Sequence, residues 1–330
     1  MATNALTIIS DAWEPQINGV VTTYKQTIST LRSWGIDVEL ISGEECIKKP
    51  LPKYQQIQVA INPWKIKPVL EAAIANKRKI HIATEGPLGL YARLFFARRN
   101  YPFTTCYHTK FPEFIEASLG ISANFTYPFF KWFHSKARSI MVSNGTMLRE
   151  LDLRGFKNLS IWSRGVDTDF FKPSKNVQPY IVCVTRVSKE KNIDAFCQLK
   201  YKNKVVVGDG PYLEELKQKY PTVMFVGKKT GRELVKYYAE ADVCVFPSYN
   251  DTFGVVMLEA IACGTPVAAV PGPGQREVIN ANNGFISNDL NYAVKTCFDL
   301  DRRKVRKTAL KWTWDAATKQ FAHNVGLEVK

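Results

Sequence analysis

Asp251 and Glu259 stand eight residues apart in the run Pro247-Ser-Tyr-Asn-Asp-Thr-Phe-Gly-Val-Val-Met-Leu-Glu-Ala-Ile-Ala-Cys-Gly-Thr-Pro266. If a helix starts at the loop, this spacing is about two turns and sets both carboxylates on similar faces. Two acids so placed can grip the hydroxyls of two sugar rings. The same pair also reads as an N-capping Asp followed by a solvated helix Glu. Asp251, Thr252, Phe253 and Gly254 form a loop that opens the helix. Amides at a helix N-terminus attract anions, and Gly254 lets a ligand approach the backbone closely.

A second cluster is Val184-Thr-Arg-Val-Ser-Lys-Glu-Lys-Asn192. Arg186 and Lys191 flank a loop before a helix expected near Asn192. A flat guanidinium fork and a point-charge ammonium suit a diphosphate, and they equally make an ordinary basic turn. Gly208-Asp-Gly210 is a tight strand-to-helix turn. It lacks the G-x-G-x-x-G pattern and the acidic residue that a dinucleotide site wants. In Glu14-Pro-Gln-Ile-Asn-Gly-Val-Val-Thr-Thr23, Asn18, Gly19 and the next amides either face a phosphate or form a turn with an N-cap. His108 follows a strand, a favoured place for a site residue and also for a satisfied structural histidine. Asp167-Thr-Asp169 has the form of a metal–nucleotide ligand, but no other acid accompanies it, so a capped turn is favoured. Phe125-Thr-Tyr-Pro-Phe-Phe-Lys-Trp-Phe-His-Ser-Lys-Ala-Arg138 mixes aromatic and basic residues. It reads as a core helix with a basic outer face, or as a surface for anionic lipid carrying Lys131, Lys136 and Arg138.

The elements that must hold these residues alternate. Strands are expected at Leu6–Ile9, Val38–Ile41, Lys79–Ala83, Thr104–Tyr107 and Ile140–Val142, with helices at Gly19–Trp34 and Leu88–Ala97. The alternation pauses near Trp162–Pro179 and restarts. Tyr180–Val184, Lys204–Val207, Val223–Val226, Val243–Phe246 and Pro266–Val270 read as strands; Tyr212–Tyr220, Arg232–Ala241 and Val255–Ala262 read as helices. Strands alternating with helices of this length predict two α/β domains with parallel sheets. Their boundary is expected near residue 170, giving a first domain over 1–170 and a second over 171–310. A terminal helix over 311–330 shows helical spacing at Trp314, Ala317, Phe321 and Val325. Ligands bind beyond the carboxyl ends of such strands, and a cleft where two domains meet is a favoured place.

The chain has 330 residues, enough for two cores, and a formal charge of +15 that draws phosphates, anionic lipid or nucleic acid. No recognised nucleic-acid motif accompanies the charge. The seven cysteines are widely spaced, without Cys-x-x-Cys or matching histidines, which argues against disulfides and structural zinc and for reduced thiols in a cytoplasmic protein. Asp11 interrupts the N-terminal apolar stretch too early for a secretory signal, and no run is long enough to span a membrane.

In order along the chain, Asn18-Gly-Val20, His108, Gly165-Val-Asp-Thr-Asp-Phe-Phe171, Arg186-x4-Lys191-Asn192, Gly208-Asp-Gly210 and Asp251-x7-Glu259 resemble glycosyltransferase family 4 over about residues 6–325. His81-Ile-Ala-Thr-Glu-Gly-Pro-Leu-Gly89, Tyr107-His-Thr-Lys-Phe-Pro-Glu113 and Trp162-Ser-Arg-Gly-Val-Asp167 look most like its bacterial mannosyltransferase-like branch. The resemblance implies the GT-B fold: two Rossmann-like doubly wound domains facing across a cleft. The first is implied to bind the acceptor and the second the donor, and the terminal helix returns to the first. It implies retaining transfer of a hexose, mannose favoured, from a nucleotide-diphosphate sugar to a glycan or glycolipid. GDP-mannose is favoured over a UDP-sugar, with no metal and no other cofactor. Arg186 and Lys191 would hold the diphosphate. The amides of Phe253, Gly254 and Val255, with Thr252 beside them, would hold phosphate or sugar. Asp251 would accept hydroxyls of the sugar and Glu259 those of the ribose. Gly208 would border the donor, and Gly227 and Lys228 would lie at the base. Gly19 and Val20 would close the phosphate site, and His108 would lie beside the anomeric carbon. Glu85, Thr109 and Lys110 are the acceptor-side candidates. The chain departs from the family pattern in having Asp251 for Glu and Asn18-Gly19 for a glycine pair, which bears on sugar identity. A UDP-sugar epimerase of the same architecture and a silent nucleotide-sugar-binding protein are the rival readings.

Overall fold

Short runs of β-branched residues, buried on both faces, build two parallel sheets in this chain. A computed structural model describes residues 4–16, 18–51, 54–249 and 251–329. It divides into two compact units, one made of residues up to Ser163 with those from Trp314 onward, the other Arg164–Thr313. The first contains β1 (Ala5–Ile9), α1 (Gly19–Ser33), β2 (Asp37–Ile41), β3 (Lys48–Leu51), β4 (Tyr54–Ala60), α2 (Lys67–Ala75), β5 (Lys79–Ile82), α3 (Pro87–Arg98), β6 (Thr104–Tyr107), α4 (Phe111–Leu119), α5 (Ala123–His134), β7 (Ile140–Val142), α6 (Gly145–Leu153) and β8 (Leu159–Ile161). The second contains β9 (Gln178–Val184), α7 (Ile193–Cys197), β10 (Lys204–Val207), α8 (Leu213–Lys219), β11 (Met224–Phe225), α9 (Gly231–Ala239), β12 (Ala241–Phe246), α10 (Val255–Ala262), β13 (Val267–Ala269), α11 (Pro273–Val278), β14 (Gly284–Ile286), α12 (Leu290–Cys297) and α13 (Arg302–Ala309). The last helix, α14 (Trp314–Val325), belongs to the first unit.

The first sheet runs β2-β1-β5-β6-β7-β8 and the second β11-β10-β9-β12-β13-β14. Every pairing within the two sheets is parallel. Each strand order reverses once, between β1 and β5 and between β9 and β12. A loop pair diverges at each reversal, which is where open α/β sheets take ligands. Central strands are apolar on both faces because helices cover both, as in buried Val205, Val206 and Val207 of β10. All seven cysteines are free and buried.

The sequence places the boundary near residue 170, whereas the units divide at Ser163. Val166 already packs in the core of the second unit, and its amide donates to Trp312 O. Helix α14 buries Ala317, Phe321 and Val325, the apolar face its spacing predicts, against α1 and β5. Four strands fall outside the sequence expectation. β3 and β4 form a separate antiparallel hairpin whose Lys48, Lys49 and Pro50 are exposed, and β8 and β14 are three-residue edge strands. None of these carries the long buried apolar run that marks a central strand.

Candidate functional site

The two loops that diverge at the switch point of the second sheet carry the charged residues. After β9 comes Thr185–Asn192 with Arg186 and Lys191; after β12 comes the segment from Pro247 to Gly254 with Asp251. Asn192 takes a left-handed conformation (φ 53°) and its Nδ2 donates to Pro247 O at 3.0 Å. That bond ties one loop to the other. It brings Lys191 Nζ to 2.5 Å from Asp251 Oδ1, with the two side chains 19% and 21% exposed. Asp251 Oδ2 is buried and takes no hydrogen bond among the described residues. Buried carboxylate oxygens are normally satisfied, so this one holds acceptor capacity in reserve. Buried Ser248 Oγ and Gln275 Oε1, tied together by Gln275 Nε2 donating to Ser248 O, are in the same condition.

Arg186 is also paired. Its Nη2 donates to Glu190 Oε1 at 2.5 Å, and Ser188 Oγ donates to the same oxygen at 2.7 Å. Burial works to raise the Glu190 carboxyl, but the bonds from Ser188, its own backbone amide and Arg186 outweigh it and hold it below the usual range. Both cations therefore sit beside a carboxylate that a more highly charged anion can displace.

Asp251 and Glu259 do not share a helix, contrary to the expectation from their spacing. Gly254 adopts φ 79° as the cap of α10, and the helix starts only at Val255. Asp251 is left in the loop, folded back onto Lys191. A Cβ at Gly254 would lie 2.8 Å from Met257 Cε and 2.9 Å from Phe246 Cζ, so glycine is required by conformation and by space. The cap residue of α10, Gly254, has no side chain to offer, and Thr252, Phe253 and Gly254 lead directly to the helix's first amides. Glu259 lies in the second turn. The residue is partly exposed, but protein surrounds its carboxylate. Tyr238 OH donates to Glu259 Oε2 at 2.8 Å. Burial pushes the Glu259 carboxyl up to about 7 despite that bond.

The glycines divide into two kinds. A Cβ at Gly208 would sit 1.8 Å from Thr185 O, and one at Gly210 would sit 2.2 Å from Val187 O. The Gly208 amide donates to Gly227 O at 2.9 Å. Gly208 and Gly210 thus let β10 end tightly against the Arg186 loop, which explains them by packing. Gly227 needs its left-handed φ of 72° for the turn that leads to the exposed Lys228. Gly19 is different: it is helical, and a Cβ there would meet nothing within 4 Å. The protein itself gives no steric reason for a glycine there. Asn18 Oδ1 accepts from the amides of Val20 and Val21, so the expected N-cap is present beside the open glycine.

In the first unit the strand-end polar residues are locked into the protein. His108 is 8% exposed, with Nε2 at 2.9 Å from Tyr24 OH. Glu85, expected on the acceptor side, has a side chain only 3% exposed, with Oε1 at 3.3 Å from His134 Nε2. Burial beside α5 removes it from any acceptor surface. Lys110 Nζ donates to Glu150 Oε2 at 2.6 Å, while Thr109 is partly exposed. Asp11 fills the switch point of this sheet, and its sequence gave no sign of the role. Its carboxylate accepts from the amides of Leu88 and Gly89 at 2.8 and 3.1 Å and from Thr84 Oγ1 at 2.9 Å. Burial raises its carboxyl above the ordinary value. Asp167 Oδ1 accepts from the amides of Asp169 and Phe170, the capped turn expected there. Among the described residues no group of three or more His, Cys, Asp or Glu could hold a metal.

Two parallel-sheet α/β units with a cationic switch point define a nucleotide-sugar-type GT-B architecture. Solved structures share it. Sucrose-phosphate synthase from Thermosynechococcus elongatus superposes with a TM-score of 0.76 at 20% identity, covering 97% of both chains. Anabaena HepE, solved with UDP and glucose, gives 0.70 at 17% identity, covering 98% of this chain and 99% of that one. The family model for Glycosyltransferase Family 4 matches residues 17–170, and that for Glycosyl transferases group 1 matches residues 166–292. The chain belongs to this glycosyltransferase family and is a hexosyltransferase. A GDP-mannose-dependent alpha-mannosyltransferase of Mycobacterium tuberculosis is 26% identical over 82% of this chain and 80% of its own length.

Proposed function

We propose that the protein moves a hexose, with mannose favoured, from a GDP-sugar to a glycan or glycolipid, retaining the anomeric configuration and using no metal. The carrying observation is the half-satisfied Lys191–Asp251 pair at the second switch point, beside a helix whose cap residue is a glycine. An arriving diphosphate competes with Asp251 for Lys191 and with Glu190 for Arg186. Once Lys191 turns to phosphate, Asp251 is free to accept sugar hydroxyls with both oxygens. Cleaving the donor bond builds negative charge on the departing diphosphate, which Arg186, Lys191 and the α10 amides oppose. These charges fill the place a metal ion would otherwise take. Attack comes from the face the diphosphate leaves, and the leaving phosphate takes the acceptor's proton. Glu259 receives the ribose, Gly19 meets phosphate and His108 serves the transferred sugar.

The named donor of the mycobacterial relative supports GDP-mannose; the UDP in the HepE structure keeps a UDP-sugar as the alternative. A thermal-shift screen against GDP, UDP, ADP and their sugars decides between them, since a ligand that binds only the folded state raises apparent stability. The largest shift is expected with GDP and GDP-mannose; a larger shift with UDP overturns the base assignment. Anomer analysis of the product by NMR then tests retention. Turnover of a UDP-sugar to its epimer without acceptor favours the epimerase, and binding with no turnover favours the silent protein.

A lipid-borne acceptor is favoured by one further observation. Helix α5 buries Tyr127, Phe130 and Phe133 but leaves Phe125 82%, Phe129 42% and Trp132 42% exposed. Lys131, Lys136 and Arg138 are exposed nearby. Amphipathic rings with flanking cations suit an anionic interface. Among the described residues no helix is long and apolar enough to cross a membrane. Flotation with anionic vesicles is expected to exceed that with neutral ones; equal recovery overturns this part.

A further inference from the structure

Beside α1 in the first unit, four side chains form an unbroken hydrogen-bonded chain. His81 Nδ1 lies 2.8 Å from Thr104 Oγ1, His81 Nε2 lies 2.7 Å from Tyr24 OH, and Tyr24 OH lies 2.9 Å from His108 Nε2. His81 and Tyr24 are fully buried, Thr104 is 3% exposed and His108 8%. Phe321 of α14 and Trp162 pack edge-on to His81, Trp162 lies against Tyr24 and His108, and their own centroids are 4.7 Å apart. Such a cage holds the rings in place. It also shields these hydrogen bonds from water.

Protons could run either way along this chain, and Ile80 O, which can only accept, favours one direction. Thr104 Oγ1 donates its only proton to Ile80 O at 3.3 Å. Its oxygen can then only accept, so His81 carries its proton on Nδ1. His81 Nε2 is bare and receives the Tyr24 hydroxyl proton. The Tyr24 oxygen in turn accepts from His108, whose proton is therefore on Nε2. Burial drags the ordinary His81 value down to about 3, so His81 stays neutral and its bare nitrogen is kept.

We propose that Tyr24 and His81 are positioning residues for His108, fixing its ring orientation and its Nε2–H tautomer through this buried chain. The inference rests on His108 serving the transferred sugar. A histidine whose tautomer is set from behind presents a single nitrogen type on its other edge, which is what a group beside a reacting sugar needs. Neither residue touches substrate, so both act through His108. The C-terminal helix takes part as well, since Phe321 supplies a wall of the cage.

The test is two-bond 15N spectroscopy of the full chain labelled at its four histidines, assigned with single histidine variants. In the wild type, His81 is expected as Nδ1–H and His108 as Nε2–H. The reverse pair overturns the proposed direction. In Tyr24→Phe the His108 signature is expected to lose its single tautomer. With GDP-mannose, kcat is expected to fall about tenfold with KM nearly unchanged, as for a misplaced group. A wild-type His108 signature in Tyr24→Phe overturns the positioning role even if the melting temperature drops. Thr104→Ser and Thr104→Val keep the test open should Tyr24→Phe not fold. The first is expected to preserve the wild-type pattern and the second to move the His81 proton off Nδ1; identical spectra from both overturn the proposal. The spectra need no turnover, so an inactive wild type strikes the donor assignment and leaves the chain of hydrogen bonds to be judged separately.

Discussion

The two sheets meet the same physical problem at their switch points and solve it in opposite ways. Each presents a helix N-terminus whose first amides have no intrahelical partner. At α3 the amides of Leu88 and Gly89 are taken by the chain's own Asp11, a buried carboxylate that a Cβ on Gly86 would strike at 2.4 Å. At α10 the cap residue, Gly254, offers no side chain, and the carboxylate of the preceding loop, Asp251, is turned onto Lys191. The first arrangement is complete in itself and reads as stability. The second has acceptor capacity in reserve and cations held by displaceable partners, which reads as a place for an anionic ligand. The fold supplies the location in both units, and the local chemistry decides whether it becomes structure or site.

The sharpest separation of the two comes from removing one charge in each. Lys191→Ala should lower kcat/KM by roughly 10²–10³-fold, the range for losing one group that stabilises developing charge. Its melting temperature should stay close to wild type, because the Lys191–Asp251 pair is partly exposed. Wild-type rates in that variant would remove Lys191 from the mechanism. Asp11→Ala should do the reverse. Losing a helix cap costs about 1–2 kcal/mol, or roughly 1.5–3 °C in melting temperature for a chain of this size. The shift caused by added GDP should survive. A variant that melts normally but no longer responds to GDP would erase the contrast between the two switch points.

A smaller effect is expected at Glu190. Glu190→Gln removes the counter-charge that holds Arg186 in place but keeps an acceptor for it. If the pair orients Arg186, donor affinity should weaken by about two- to fivefold, on the scale of one partly exposed ion pair. If Glu190 only competes with phosphate, affinity should rise instead. Titrating GDP against the two proteins at low and moderate salt separates these outcomes, and screening should narrow the difference as salt rises.

Much of this was legible in the sequence, for physical reasons. Lys204-Val-Val-Val207 and Thr104-Thr-Cys-Tyr107 have the apolar continuity that only a strand covered on both faces needs, and both lie where they were expected. Arg186 and Lys191 follow a strand and precede a helix, so their place at the switch point was within reach. What spacing could not show is the backbone at Gly254. A left-handed residue resets the phase, and Asp251 leaves the helix that Glu259 occupies. Nor could it show burial. Glu85 looks like a surface acid in sequence but packs beside His134, and nothing near Asp11 in sequence reveals that it caps a helix 77 residues away. Tyr24 and His81 belong to the same class: residues 57 apart that meet only through the sheet order.

Glu259 allows the comparison to be tested by pH alone. Its carboxyl titrates at about 7 in the folded protein, against an ordinary value of 4.5, because burial penalises the charged form. Between those values the folded state binds more protons than the unfolded chain. The neutral carboxyl therefore contributes stability that is fully present below about 4.5 and is lost as pH rises through about 7. Glu259→Gln carries a neutral group at every pH. It should melt close to wild type at pH 4.5 and roughly 4–5 °C higher at pH 8. Ligand binding should show the opposite trend, because ribose hydroxyls donate more strongly to a carboxylate than to its acid. GDP affinity of the wild type should rise with pH and level off above 7, while that of Glu259→Gln stays low and flat. A melting difference that does not change with pH would mean that Glu259 is ionised throughout. In that case the second switch point would have no buried acid whose cost is recovered only when a donor arrives.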